Sequence, residues 1–310
     1  CAPPKKWGRK KPVFKPRIAG TIFAIIFDHN SSRVRYWFRK DPLKSYLNGM
    51  RLITRLVVSL NAVGTQIPIH FFPSGYRHPA YEGQLTSLGV NVSSLMEQPV
   101  LVPSWANQHH RGSFSKLRVL ALTQHERVIL LDQDQVVLRN IDHLSGAPTP
   151  SGVFHYVCEP MTELNSGLMV LQPNKTLYNR IFHDPDYMES IVPLSTDQGD
   201  QSVWRAVLPF AFALPMGYNP FKIANFKPEH EWTKVHMLHD AWRHRGSGWW
   251  SRGKSTAAIF ERVEELQLQA DRVLDGLPCL GKDKKGKQVG GMEPGETPVF
   301  TCATKYEVGG

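Results

Sequence analysis

Apolar runs and amphipathic stretches alternate along the first half of this chain, and the alternation limits the folds it can adopt. Short runs rich in Ile, Phe, Val and Leu, which predict buried strands, cover residues 21–27, 67–72 and 128–131. Residues 47–60 have the periodicity of an amphipathic helix, and residues 115–122 are also predicted to be helical. Alternating strands and helices predict an α/β domain with a mainly parallel central sheet, whose ligands bind at the carboxyl ends of its strands.

The second half continues the pattern less regularly. Strand-like segments cover residues 152–157 and 167–171, and helices are predicted over residues 201–207 and 257–274. After Pro215 the pattern is irregular and rich in Trp and His.

Composition divides the chain into three parts. Residues 1–17 are rich in Pro and Lys without hydrophobic periodicity, which predicts a tail or stalk. Residues 276–310 are predicted to be a low-complexity tail. The 258 residues between them, 18–275, suit one folded domain, since 310 residues lie near the upper size for a single hydrophobic core.

The formal charge of +10 is concentrated in the two tails. Seven cations precede the first acid, Asp28, and residues 282–287 add a net three, which leaves the body near neutral. This distribution argues against nucleic acid as a partner and fits solvated ends or a membrane-surface tether. The chain begins at Cys1, so we also consider a membrane tether upstream of residue 1.

The cysteines lack the CxxC spacing typical of structural zinc sites: Cys1, Cys158, Cys279 and Cys302. Cys279 and Cys302 form a disulfide in an oxidising compartment, or all four are free thiols. The glycosylation sequons at Asn91 and Asn174 favour the Golgi lumen, with the cytoplasm as the alternative.

The most informative segment is an apolar run that leads into two carboxylates. Residues 128–131 are followed at once by Asp132, Gln133 and Asp134. A strand that ends in Asp-x-Asp places both acids at the rim of a sheet, where oxygen ligands can hold a divalent cation and its bound diphosphate. A solvated turn is the alternative interpretation, because Asp favours turns.

Five ordered motifs resemble glycosyltransferase family 8, the group that includes glycogenin and galactinol synthase. They are Ser-Lys-Leu-Arg-Val at 115–119, the Asp-x-Asp segment at 126–142, Leu-Asn-Ser-Gly at 164–173, Asp-Gln-Gly-Asp-Gln at 197–201 and Val-His at 235–236. The resemblance implies a single GT-A type domain, metal dependence and transfer of a hexose or related sugar from a UDP-sugar with retention of configuration. The implied acceptor is a glycan, protein, lipid or polyol.

The resemblance also implies which residues form the metal and nucleotide sites. Asp132, Asp134 and His236 match the ligands of a divalent cation, usually Mn²⁺. Lys116 matches a lysine that contacts the donor. Tyr46 matches a tyrosine that stacks on uracil.

A second group is implied to act on the sugar. Asn165 and Ser166 match residues that touch the sugar or nucleotide. Asp197, Asp200 and Gln201 match the polar cluster that orients the sugar and stabilises the reacting centre, with Asp200 as the candidate nucleophile. Without the resemblance, Asn165 and Ser166 suit a turn before a strand, Asp200 suits a helix N-cap, and Lys116 suits an exposed helix position.

The chain departs from the family after His236. A glycine and a Lys-Pro-Trp group are expected there, but the chain has His239, Asp240, Ala241 and Trp242, with Arg243 and Arg245 as substitutes for the lysine. His236, His239, Asp240 and His244 are residue types that bind zinc, but no HExxH pattern supports a zinc site, and a structural or surface role is the favoured interpretation of His239 and His244. The altered loop keeps open a non-catalytic nucleotide-sugar-binding relative as an alternative function. The α/β architecture and the paired acids also keep open a sugar nucleotidyltransferase.

Overall fold

The protein is described by a computed structural model. The structure describes residues 14–28, 42–95, 100–108, 110–158, 161–193, 198–219, 234–239, 254–275, 277, 281–282 and 288–289.

A seven-stranded sheet forms the centre of the domain. Its strands are Thr21–Asp28 (β1), Ile69–Ser74 (β2), Val90–Val92 (β3), Arg127–Leu131 (β4), Ser151–Cys158 (β6), Met161–Leu171 (β7) and Phe212–Leu214 (β8). Their order is β3, β2, β1, β4, β7, β6, β8. Neighbouring strands are parallel except at β7, which runs antiparallel to both β4 and β6. The predicted α/β fold with a mainly parallel central sheet is therefore confirmed.

Two smaller sheets are not hydrogen-bonded to the central one. Gln135–Val137 (β5) pairs antiparallel with Met237–His239 (β9). Gly281–Lys282 (β10) pairs antiparallel with Gln288–Val289 (β11), within the stretch predicted to be a low-complexity tail.

The described α-helices are Pro42–Ala62 (α1), Pro79–Ser87 (α2), Lys175–His183 (α3), Pro185–Ser190 (α4), Asp200–Val207 (α5) and Lys254–Leu274 (α6). The 3₁₀ helices are Arg111–Ala121 (η1), Asp142–Gly146 (η2) and Met216–Tyr218 (η3). The segment predicted to be helical at residues 115–122 thus folds as the tighter 3₁₀ form. None of the described helices is long and apolar enough to cross a membrane.

The two faces of β1 build two halves of the core. Successive side chains of a strand point to opposite faces. Phe23, Ile25 and Phe27 pack in one cluster with buried residues of α1, whereas Ile22 and Ala24 pack in the other with residues of η1, α3 and α5. All five side chains are at most 6% exposed, which explains why this strand reads as a continuous apolar run.

Part of the predicted N-terminal tail packs on the domain. Phe14 contacts the cluster on the α1 side of the sheet. The backbone N–H of Arg17 donates to Oγ of Ser145 at 2.8 Å, and a Cβ at Gly146 would overlap the backbone of Lys15. The tail beyond these contacts, residues 1–13, lies outside the described residues.

Candidate metal and donor site

The two predicted carboxylates lie at the carboxyl end of β4. The backbone N–H of Asp132 donates to the carbonyl of Gly167 on β7 at 2.9 Å, so the chain stays attached to the sheet as β4 ends. A turn follows, in which Gln135 N–H donates to the Asp132 carbonyl at 3.2 Å. The side chains of Asp132 and Asp134 are 20% and 21% exposed, so solvent reaches both.

His239 lies beside both carboxylates. The β5–β9 pair aligns His239 with Gln135, the residue after Asp134. His239 Nε2 lies 3.2 Å from Oδ1 of Asp134 and 3.6 Å from Oδ2 of Asp132. Ligand atoms of the three residues all lie within 4.8 Å of one another.

The donor set of these three residues suits a divalent cation. Two carboxylate oxygens and one imidazole nitrogen are hard and borderline ligands, which suit Mn²⁺ and similar ions. Three protein ligands leave positions for the oxygens of a bound diphosphate.

A buried cation borders this group. Lys116 on η1 places its Nζ 2.6 Å from Oδ1 of Asp132 and 3.8 Å from Oδ2 of Asp200, and donates to Oγ of Ser166 at 3.1 Å. Asp200 lies in the first turn of α5, where Oδ2 accepts the indole N–H of Trp204 at 3.1 Å. One lysine thus joins η1, β4, β7 and α5.

Burial and neighbouring charges act on three of these groups in different directions. Burial raises the pKa of the Asp200 carboxyl above its ordinary value, and the Lys116 ammonium opposes part of that rise. Burial acts to lower the pKa of Lys116, but the charges of Asp132 and Asp200 outweigh it and raise that pKa. The pKa of His239 is likewise raised, because the Asp134 and Asp132 carboxylates outweigh the effect of burial.

His236, the third ligand predicted from the sequence, is not part of this group of potential ligands in the structure. Its ring stacks on Tyr218, with centroids 4.5 Å apart, and lies 5.7 Å from the ring of His143. The backbone carbonyl of His236 accepts the N–H groups of Leu138 and Arg139. Both residues follow the last residue of β5, whereas Asp134 precedes the first. His239, three residues later, takes the predicted place.

Tyr46 does not lie open to a nucleotide base. It is 1% exposed in the core, its ring lies 4.9 Å from that of Tyr76 and 6.0 Å from that of Phe27, and its hydroxyl accepts the backbone N–H of His78. A ring buried on this scale offers no face for stacking, so the predicted role in binding uracil has no support in this geometry.

The remaining predicted residues divide into three cases. Ser166 lies at the site through its bond to Lys116, while Asn165 lies behind it and accepts from Gly167 N–H at 2.9 Å. Both are within β7, so neither forms the turn that was the alternative interpretation. Gln201 follows Asp200 in the first turn of α5, and Asp197 lies outside the described residues.

The alternative interpretations of Asp200 and Lys116 are wrong. Gly199, rather than Asp200, occupies the N-cap of α5. The side chain of Lys116 is 13% exposed, in contrast to a solvated helix lysine. Sequence reasoning missed the role of Trp204, whose only signal was its place four residues after Asp200, one helical turn away.

No protein-family model matches the chain. It is 30% identical over 99 residues to inositol phosphorylceramide glucuronosyltransferase 1 of Arabidopsis thaliana, a match that covers 32% of this chain and 17% of that protein. It is 33% identical over 114 residues to glycogenin-1 of Caenorhabditis elegans, covering 34% of this chain and 25% of that protein. The chain therefore spans a quarter or less of the length of these relatives. These matches also confirm the resemblance to family 8 seen in the motifs.

The fold is also found among solved structures. The crystal structure of the glycosyltransferase GlyE from Streptococcus pneumoniae TIGR4 superimposes with a TM-score of 0.50 at 15% identity, covering 80% of this chain and 63% of that one. At this identity the likeness concerns the fold alone, and it confirms the predicted GT-A type architecture.

Proposed function

We propose that this chain is a metal-dependent glycosyltransferase that takes a sugar from a UDP-sugar donor. The observation that carries the proposal is the group of Asp132, Asp134 and His239 at the carboxyl end of β4, with Lys116 beside it. In open α/β sheets this end of the strands is where ligands bind. One of the relatives named above is a glucuronosyltransferase by name, which supports the same class of reaction.

Asp132, Asp134 and His239 would hold a divalent cation such as Mn²⁺. When bound, the cation supplies charge stabilisation to the diphosphate that leaves. Lys116 complements this from the protein side, because its ammonium neutralises the oxygen of Asp132 that faces away from His239. The site then presents more positive charge to the donor than two bare carboxylates would.

We propose that the sugar is transferred with retention and that Asp200 acts as a stabilising group. A covalent route needs a nucleophile in contact with the anomeric carbon. The Asp200 side chain is 3% exposed and its Oδ2 accepts from Trp204, so its carboxylate lies beneath the surface and beside Lys116. This placement supports a front-face route, in which the departing phosphate helps to deprotonate the acceptor. Proton NMR of the first product from a UDP-α-sugar tests this, since a β linkage would contradict retention.

Titration of the full chain with UDP, with and without Mn²⁺, tests the proposal. We expect Mn²⁺-dependent binding that is lost in Asp132→Asn and Asp134→Asn, because an amide cannot replace a charged ligand. His239→Ala should weaken this binding strongly but leave it measurable at high Mn²⁺ concentration, because both carboxylates remain. His236→Ala is the matched control, and it should retain Mn²⁺-dependent binding because His236 packs on Tyr218. Loss of binding in His236→Ala with retention in His239→Ala would overturn the ligand set.

Donor hydrolysis then separates the three candidate activities. Release of free sugar from a UDP-sugar supports the transferase, whereas binding without hydrolysis supports a non-catalytic relative. Formation of UDP-sugar from UTP and a sugar phosphate would support a nucleotidyltransferase. The donor panel should include UDP-glucuronate with UDP-glucose, UDP-galactose, UDP-xylose and UDP-N-acetylglucosamine, since one relative is a glucuronosyltransferase by name.

A further inference from the structure

A chain of buried amides lies behind the proposed metal ligands. Gln135 donates from Nε2 to Oδ1 of Asn219 at 3.2 Å, and Asn219 donates from Nδ2 to Oδ1 of Asn165 at 2.7 Å. The Asn165 oxygen also accepts the backbone N–H of Gly167 at 2.9 Å. Gln135 and Asn219 are 0% exposed and Asn165 is 8% exposed. Buried amides are costly unless they are hydrogen-bonded, so these bonds fix β5, β7 and the end of η3 relative to one another.

Gly167 is where this amide chain meets the site. A Cβ added to Gly167 would lie 2.6 Å from Cε1 and 2.9 Å from Nδ1 of His239, and 2.8 Å from Oδ1 of Asn165, so it would meet both the ligand and the amide chain that holds it. The imidazole therefore rests directly on the bare backbone of β7. The carbonyl of the same glycine accepts the N–H of Asp132 at 2.9 Å, so Gly167 supports two of the proposed ligands.

The hydrogen bonds and packing contacts form a closed path that begins and ends at His239. Gln135, at one end of the amide chain, is the partner of His239 in the β5–β9 pair. Gly167, at the other end, packs against the imidazole of His239. The backbone of His239 is thus paired with β5, and its imidazole packs against β7. The amides of Asn219 and Asn165 set the distance between β5 and β7.

We propose that Gln135, Asn219, Asn165 and Gly167 are positioning residues that hold the His239 imidazole beside Asp132 and Asp134. The inference rests on the proposed metal site and adds to it the buried residues that lie behind its ligands. In this inference Asn165 positions a metal ligand, whereas the motif implies that Asn165 contacts the donor. Partners that orient a metal ligand typically change metal affinity about 10- to 100-fold when they are replaced.

The first test inserts one methyl group at Gly167 in the full chain. Gly167→Ala should weaken Mn²⁺ binding about 10- to 100-fold, because the new Cβ displaces the imidazole. The visible spectrum of bound Co²⁺ should shift toward that of His239→Ala, a readout independent of turnover. Gly152→Ala is the matched control: its Cβ would meet Leu164 at 2.6 Å on the neighbouring strand, so it strains the same sheet away from the ligands.

A double-mutant cycle separates positioning from a general effect on the fold. In a His239→Ala background, Gly167→Ala should not weaken Mn²⁺ binding further, since the methyl group acts through the imidazole. An equal loss in both backgrounds would overturn the inference, as would unchanged Mn²⁺ affinity and an unchanged Co²⁺ spectrum in Gly167→Ala alone.

Asn219→Ala tests the amide chain at a residue that touches no proposed ligand. It should weaken Mn²⁺ binding about tenfold with circular dichroism unchanged. If it fails to fold, Gly167→Ala and the cycle decide the inference. If wild-type protein binds neither Mn²⁺ nor Co²⁺, the proposed metal site itself fails. If the wild type binds through His239 and the Gly167 and Asn219 variants bind equally well, the inference alone fails.

Discussion

Lys116 shows how one side chain can connect stability to the proposed chemistry. Its ammonium contacts Asp132 and lies 3.8 Å from Asp200, whose side chain is 3% exposed. Lys116→Met should lower the free energy of unfolding by about 3 kcal/mol, because it leaves the buried carboxylate of Asp200 without its cation and removes the ion pair with Asp132. Urea denaturation at neutral pH measures this. Lys175→Met removes an exposed ammonium that lies 4.6 Å from the centroid of the Tyr178 ring, so it should change stability by less than about 1 kcal/mol. An equal loss in both variants would contradict the assignment.

The sequence could predict those residues of the site whose role is visible in the few residues around them. Asp132 and Asp134 follow an apolar run directly, and a strand leading into paired acids is visible in the sequence. His236 and His239 flank the same two apolar residues, and the choice between them depends on the register of β9 with β5. Pairing between strands distant in sequence leaves no local signal, so the sequence identified the segment but not which of its two histidines lies beside the carboxylates.

Helix α6 supports the strands that carry the site, although it lies far from the chemistry. Its buried residues Val263, Leu266 and Ala270 pack with Val136 of β5 and Leu238 of β9. Two hydrogen bonds of 2.8 and 2.7 Å from Arg51 to Asp271 attach α6 to α1.

Leu266→Ala should therefore destabilise the fold by about 2–5 kcal/mol, through lost burial and the cavity left behind. Leu268 offers a matched control on the same helix, since Leu266 is 1% exposed and Leu268 is 59% exposed. Leu268→Ala should change the free energy of unfolding by less than about 0.5 kcal/mol. Chemical denaturation of both variants tests the pair, and equal effects would mean that α6 is not packed as described.

Elements with strong apolar patterns were predicted well, and those shaped by tertiary contacts were not. β1 and β4 are close to their predicted bounds because both of their faces are buried. β7 extends from Met161 to Leu171, six residues before the predicted start, since polar Asn165 and Ser166 interrupt the pattern yet are satisfied inside the fold. The 3₁₀ form of η1 likewise has no counterpart in its hydrophobic pattern.

Half-buried histidines outside the candidate site give the whole molecule a pH dependence. Burial lowers the pKa of four of them: His70, His78, His125 and His143. A lowered pKa in the folded state means that the unfolded chain binds protons more readily as pH falls. The contribution of these histidines to the free energy of unfolding is complete above their pKa in the unfolded chain, which is about 6.5. It is lost as pH falls below that value toward their lower pKa in the folded protein.

We therefore expect the free energy of unfolding to fall between pH 7.5 and pH 5.5, as measured by urea denaturation of the metal-free protein. His239, whose raised pKa acts in the opposite direction, offsets part of the change. His70→Phe should flatten the decline, because it removes one of the groups that titrate. A decline as steep in His70→Phe as in the wild type would count against His70 as a contributor.

The N-terminal boundary of the domain can be located by two deletions. Removing residues 1–13 should leave stability and UDP binding unchanged, as expected for a tail of this composition. Removing residues 1–17 should lower the melting temperature, because it also removes Phe14 from the core and the bond from Arg17 to Ser145. Equal melting temperatures would mean that the contacts of residues 14–17 contribute nothing.

The β5–β9 pair has a consequence for biosynthesis. Asp132 and Asp134 follow β4 directly, whereas His239 ends a strand that is translated much later. A ribosome-bound chain that has emerged only through β8 can already pair β1, β2 and β4, yet Asp132 and Asp134 still lack the imidazole of His239 beside them. The central sheet can therefore assemble before the proposed metal site is complete, because the third proposed ligand becomes available only after β9 has left the exit tunnel.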